Sequence, residues 1–166
     1  FSTHADGVMA AFNAQGQLQL SQNDQTLATG TADCLDNQWH HFALNVLHDG
    51  TAAVYVDGNN VAQFTPSAPL RLQSDSLMLG VMRRAQTAGA ADFVYSNYFN
   101  GQLDELRLWN ARLTADVLRA ARLQRLEGTE SGLVAYYPFE KIQLNQYNQA
   151  EVVADMADHA TTTLPK

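Results

Sequence analysis

Short segments that alternate apolar and polar residues, each closed by turn-forming residues, run through most of this chain. Alternation with a period of two fits half-buried strands, and frequent turn signals between short strands fit an antiparallel β sandwich or barrel. Candidate strands fall at 7–13, 16–21, 25–29, 38–48, 51–57, 60–65, 70–73 and 76–82, then at 98–110 and 132–139. The punctuation is specific. Asn13-Ala-Gln-Gly16, His48-Asp-Gly50 and Asp57-Gly-Asn-Asn60 supply Gly or Asn where a tight hairpin needs positive φ, so 38–65 reads as successive hairpins. At 166 residues, 46% of them apolar, the chain suits one domain with a sizeable core. The net charge of −7 argues against nucleic acid or an anionic membrane surface as partner. No apolar run reaches the length of a membrane-spanning helix, so membrane insertion is not expected. The chain opens on Phe1 with neither an initiator Met nor a signal-peptide pattern, and so reads as part of a longer protein with neighbouring domains.

One helix is indicated, near residues 114–127. Thr114 suits its N-cap, Asp116 favours the positive end of the helix dipole, and Gly128 stands just past the end. Leu113 and Leu118 are placed for a hydrophobic staple. Val117, Leu118 and Ala121 share a face, while Leu123 and Leu126 lie off it. Arg119, Arg122 and Arg125 read as a solvated outer face. The connection 83–97 mixes small residues with Phe93 and Tyr95, and long structured loops on β sandwiches are where binding tends to reside. The tail 141–166 is polar, with a weak strand at 151–154.

Three stretches together resemble a known family. They are Gln38-Trp-His-His-Phe-Ala-Leu-Asn45 leading to Gly50-Thr-Ala-Ala-Val-Tyr-Val-Asp-Gly58, then Phe99-Asn-Gly-Gln-Leu-Asp-Glu-Leu-Arg-Leu-Trp-Asn110, and Gly132-Leu-Val-Ala-Tyr-Tyr-Pro-Phe139. In this order they are similar to the laminin-G-like, pentraxin-like modules of the concanavalin A-like lectin and glucanase superfamily, over roughly residues 7 to 140. The resemblance implies an all-β, antiparallel jelly-roll β-sandwich with one short α-helix. It implies a module over 1–140 that lacks the family's usual first strand, with 141–166 a tail or the opening of a following module. It also implies a location outside the cell or at its surface.

Candidate chemistry begins at Asp104. In a regular strand Asp104, Leu106 and Leu108 share one face, while Leu103, Glu105, Arg107 and Trp109 share the other. A carboxylate in line with two leucines must be satisfied by backbone N–H groups, a basic side chain or a bound cation. Calcium takes oxygen ligands in flexible number, and the resemblance implies a structural calcium held through the Asp matching Asp104.

Glycoside hydrolysis needs two carboxylates in one cleft. The glucanase branch takes them from one strand at spacings of two or four, and Asp104 and Glu105 are adjacent, so they point apart. Asp33 with Asp36, and Glu127 with Glu130, read as solvated charges, and no enzyme is expected. Zinc would need ligands converging with His40 or His41, whereas His4, His48 and His159 are scattered, so the histidines read as structural. Cys34 has no second cysteine to pair with, and the Trp-His-His stretch offers the nearest base for a thiol nucleophile, which is the lesser reading.

Sugar sites on β sandwiches use exposed aromatic faces flanked by Asn, Asp or Gln. Phe93, Tyr95, Asn97 and Tyr98 supply both kinds of residue, whereas one ring of Tyr136-Tyr137 belongs in the core. The sequence therefore reads as a non-catalytic binding or adhesion module that recognises glycan or protein. The alternatives are a structural spacer in a tandem array and an accessory module of a carbohydrate-active enzyme.

Overall fold

The computed structural model describes residues 8–22, 25–47, 49–66, 78–85, 93–140, 142–144, 151–153 and 155–157. They divide between two compact units, one of Phe1–Asn100 with Thr114–Arg122, the other of Gly101–Leu113 with Leu123–Lys166.

In the first unit β1 (Val8–Phe12), β2 (Gln17–Gln22) and β3 (Gln25–Asp33) form one antiparallel sheet. β4 (Phe42–Val46), β5 (Ala52–Val56) and β6 (Asn59–Phe64) form a second. Val8 and Leu20 from the first sheet and Val54 from the second make one buried cluster, and Ala10, Leu18, Leu44, Val61, Ala62 and Phe64 pack around it. The two sheets thus share a core as a β sandwich. β3 runs close to β6: a Cβ on Gly30 would stand 3.2 Å from Val61 Cγ2. Every residue of β5 is buried, as a central strand covered on both faces must be. Burying one such Val or Leu contributes about 1.5–3 kcal/mol.

The turns form as their residues dictate. Asp57 and Gly58 have φ of 51° and 76°, the doubly left-handed pair of a type I′ hairpin between β5 and β6. Asn13 Oδ1 accepts from the Gln15 and Gln17 N–H groups and so shapes the turn into β2. The expected strand at 38–48 is confined to Phe42–Val46, because the residues before it form a side-chain-bonded connector. The connection 83–97 is itself structured: β7 (Met82–Ala85) pairs with β8 (Phe93–Ser96). The expected strand 70–73, and 76–77 of the next, lie outside the described residues.

The helix α1 is Ala115–Ala121, shorter than expected. Thr114 caps it, with Oγ1 accepting from Val117 N, and Leu118 is its buried residue. The chain leaves helical geometry after Arg122, so Gly128 is not its cap and Leu123 stands 82% exposed. Val117 also faces outward, which leaves Leu118 as the anchor.

In the second unit β9 (Leu106–Trp109) pairs with β10 (Leu133–Tyr137), and β11 (Ile142–Leu144) pairs with β12 (Glu151–Val153). Leu133, Tyr136 and Ala157 form its buried cluster, with Trp109, Leu126 and Met156 packed against it. Asp155 Oδ1 accepts from Tyr136 N and Ala157 N, and Met156 N donates to Tyr136 O at 2.7 Å, so this part of the tail is bound to β10. Gly128, at φ 90°, is required because a Cβ there would lie 2.0 Å from Met156 O.

The I′ turn makes a clean test of α1 placement. A Cβ on Gly58 would fall 2.1 Å from Arg119 Cγ and 3.1 Å from Arg119 Cα, whereas one on Gly50, also left-handed, meets nothing within 4 Å. Gly50→Ala should cost about 1–2 kcal/mol from backbone conformation alone. Gly58→Ala should cost more, read as a larger fall in melting temperature. Equal losses would contradict the packing of α1 on this turn.

Candidate functional site

Tyr95 of the β7–β8 hairpin and Tyr98 at its exit reach the surface. In β8, Tyr95 stands opposite Arg83 and Phe93 opposite Ala85. Tyr95 is exposed, and Tyr98, just past the strand, is 73% exposed. Between them Asn97 adopts φ 51°, a left-handed conformation that Asn tolerates, with its amide directed to Met82 Sδ at 4.0 Å. Four sequence-expected residues therefore lie within one hairpin arm and its exit. Phe99 N then donates to Gly80 O at 2.8 Å, which pins the segment that follows.

Sequence reasoning missed the neighbours. The Phe99 ring lies 6.2 Å from that of Phe12, and Phe12 meets Phe42 edge-on at 5.4 Å. His40 continues the row, 6.5 Å from Phe42. Phe42 and Phe99 are exposed, as is Trp39 at 64%. Rings from β1, the start of β4 and the exit of β8 thus form one aromatic row, half-buried at Phe12 and exposed at Phe42 and Phe99. The signal for it was present only as scattered phenylalanines whose meeting depends on the sheets.

Beside these rings lies a polar cluster. His40 Nδ1 is 2.8 Å from Asp57 Oδ2, and His40 Nε2 is 3.0 Å from Asp36 Oδ1. Both partners are carboxylates, which only accept, so both ring nitrogens donate and the imidazolium is the species that fits. The Asp57 and then the Asp36 hydrogen bond push the His40 pKa up, outweighing burial. The His40 hydrogen bond foremost, with the Gln38 N–H, holds Asp36 below the usual carboxylate range. For Asp57, burial acts upward, but His40, the His41 N–H and the Arg122 charge prevail and lower it. Asp57 Oδ1 accepts from His41 N at 3.1 Å and pairs with Arg122 at 3.3 Å.

Asp36 is held by His40 rather than simply solvated. Arg119, Arg122 and Arg125 are exposed, as the reading of a solvated face expects, and each also meets a carboxylate: Asp116, Asp57 and Glu140 in turn. Glu130 likewise accepts from Glu127 N and Gly128 N. Cys34 is buried, its pKa raised by burial and then by Asp57, Asp33 and Asp36. With both His40 nitrogens engaged by carboxylates, that ring is not available as its base.

Asp104 lies in the second unit and does not share a face with Leu106 and Leu108. The strand begins only at Leu106, and Glu105 has φ 56°, which breaks the alternation between them. Asp104 is exposed, with Oδ1 accepting from Glu105 N. Glu105 turns inward instead, accepting from the Tyr136 hydroxyl at 2.8 Å and pairing with the largely buried Arg107. Arg107 in turn lies 5.8 Å from the Tyr136 ring centre. Burial first, then Glu105, raises the Tyr136 pKa. Among the described residues no three His, Cys, Asp or Glu side chains assemble as a metal-holding group.

The family model described as the concanavalin A-like lectin/glucanases superfamily matches residues 1–118. A solved structure from Bacteroides ovatus, named a "putative carbohydrate binding protein", superposes with a TM-score of 0.63 at 18% identity. That match covers 93% of this chain and 44% of the other, so the chain spans less than half of that protein. An S-layer domain-containing protein of Clostridium thermocellum gives a TM-score of 0.43 at 18% identity, over 69% of this chain and 63% of the other. No curated protein matches the chain.

Asp57→Ala should be costly, because it removes the acceptor of His40, the His41 N–H and Arg122 together. Leaving buried or half-buried donors unmade costs about 1–3 kcal/mol. The expected outcome is a melting temperature lowered by several degrees, checked by calorimetry at pH 6. An unchanged melt would remove Asp57 as the organising acceptor.

Proposed function

The chain belongs to the concanavalin A-like lectin/glucanases superfamily, and from that membership we propose that it is a non-catalytic carbohydrate-binding module of a larger extracellular or cell-surface protein. The observation that carries the reading is the exposed aromatic surface. A pyranose presents an apolar face of axial C–H groups, and a tyrosine or tryptophan ring open to solvent offers it a matching plane. Tyr95, Tyr98 and Trp39 supply such planes, and Asn97 and the carboxylate of Asp36 stand nearby in sequence to take hydroxyl hydrogen bonds. The Bacteroides ovatus neighbour, named for carbohydrate binding, supports the same reading on grounds of fold. The acidic composition favours neutral over sulfated or uronate-rich glycans.

The absence of catalysis in this proposal rests on how the acids are used. Asp36 and Asp57 are bound to one imidazole, and Glu105 is bound to Arg107 and Tyr136. Neither set offers an acid and a base facing a common substrate bond. Adhesion, spacing within an array, and service to an attached enzyme are different uses of one module, and the parent chain would separate them.

Tyr95→Ala/Tyr98→Ala should weaken retention on neutral polysaccharides in native affinity gels by about tenfold or more, since each stacked ring contributes on the order of 1 kcal/mol. The melt should stay within about a degree, because both rings are exposed. Ordinary retention by a folded double mutant would move the site off this hairpin, and no retention of any glycan by the native chain would favour a spacer.

Calcium at Asp104 is a second proposal that membership motivates. The carboxylate is open to solvent with one oxygen engaged by Glu105 N, and calcium would take the other together with backbone and water oxygens. Saturation a hundredfold above the dissociation constant stabilises by about 2.7 kcal/mol, several degrees of melting temperature for this size. The shift should vanish in Asp104→Ala. Identical melts of the native chain in calcium and in chelator would overturn the proposal.

A further inference from the structure

We propose that the Asp36–His40–Asp57 cluster is a pH-operated latch on the connector that carries Trp39, closed in mildly acidic solution and open in alkaline solution. The connector between β3 and β4 makes few backbone bonds of its own among the described residues. It is held by side chains: Asp36 Oδ1 accepts from Gln38 N at 2.8 Å and from His40 Nε2 at 3.0 Å, around Asn37 at φ 62°. Trp39 sits between the two bonded residues, so its position follows the His40–Asp36 bond.

The chemistry makes that bond conditional. An imidazolium donates from both nitrogens, whereas a neutral imidazole donates from one and presents a lone pair at the other. With carboxylates on both sides, loss of the proton sets a lone pair against a carboxylate oxygen, and one side must part. Asp57 is the anchored side, since Oδ1 also holds His41 N and Arg122. Asp36 is the exposed side, bonded besides His40 to backbone N–H groups alone among the described residues. The latch therefore opens at Asp36.

The connector brings Asp36, with Asp33 and Cys34 at its start. The β5–β6 turn brings Asp57. Helix α1 brings Arg122 to Asp57, while Arg119 is committed to Asp116. The Phe42 ring faces His40 but does not titrate. His40, Asp36, Asp57 and Arg122 sum to zero while the imidazole is charged, and to −1 when it is not.

The direction with pH follows. His40 is raised above its ordinary 6.5, so its contribution is complete below that value and is lost as pH rises through its own higher midpoint. Asp36 and Asp57 are held below their ordinary 3.8, so their contribution is present above that value and is lost as pH falls through their own lower midpoints. The latch is strongest between those limits. Any effect on ligand retention rests on the proposed carbohydrate function, whereas the latch does not.

The test uses the full chain. His40 is titrated by NMR, with His40→Gln assigning its signal. Acrylamide quenching of Trp39 is taken as the difference between the native chain and Trp39→Phe. The expected result is a His40 midpoint above 6.5 and a rise in Trp39 quenching at that same midpoint. Asp36→Asn should lower the His40 midpoint and flatten the quenching curve, with little change in melting temperature. A His40 midpoint at or below 6.5, or Trp39 quenching flat across it, overturns the latch. Glycan retention is measured across the same range. Retention that ignores the Trp39 transition overturns the link to binding alone, and failure to retain any glycan counts against the proposed function while fluorescence still judges the latch.

Discussion

Asp57 is the residue on which the geometry of the first unit turns. Its backbone supplies the first left-handed position of the β5–β6 hairpin, and its N–H donates to His41 O at 2.9 Å. Its carboxylate then holds His40, the His41 N–H and Arg122. One side chain thereby joins the hairpin turn, the entry to β4 and the end of α1. A turn aspartate suits the task, because the chain reverses there and the short side chain is carried back over the strand ends it must bond. Gly58 beside it leaves the space into which Arg119 packs. The β sandwich provides the apolar adhesion, but the sheets alone would not specify where the connector and helix settle.

The second unit solves the same problem with a different set of polar groups. Tyr136 is almost fully buried, yet every polar atom it brings is used: its N–H goes to Asp155, its carbonyl receives Met156 N, and its hydroxyl donates to Glu105. Burying a tyrosine of this kind is tolerable only with those partners. Asp155 and Met156 belong to the tail that composition alone had set apart as polar and weakly structured. The Asp155 carboxylate and the Met156 N–H are what β10 needs, with the Met156 side chain packed on the same cluster, and composition does not register that demand.

Several elements were legible from particular residues. Thr114 three residues ahead of Val117 marked a cap, and Thr114 Oγ1 does accept from Val117 N. Asp57-Gly58 marked a two-residue hairpin and forms one. Where the reading failed, a local pattern was overridden by a contact distant in sequence. Residues 98–110 alternate like a strand, but left-handed Glu105 ends the alternation and brings its carboxylate within reach of Arg107 and the Tyr136 hydroxyl. Gly128 looked like a helix terminator, yet its conformation answers to Met156 O. Of the candidate surface, the Tyr95 to Tyr98 arm could be read because it is contiguous. The Phe12–Phe42–Phe99 row could not, because its members are brought together only by β1, β4 and the exit of β8.

By itself the sequence determined what is local: a period of two that makes strands, Gly and Asn at the left-handed turn positions, and motifs sufficient to place the chain in its superfamily. These depend on steric limits that act within a few residues. The tertiary structure alone decided which charges meet. Asp36 reaches His40 from four residues away within one connector, whereas Asp57, 17 residues away, meets the other nitrogen because β4 pairs with β5. A histidine's protonation is set by its neighbours in space at about 3 Å, and for a partner such as Asp57 sequence separation carries almost no information about that distance.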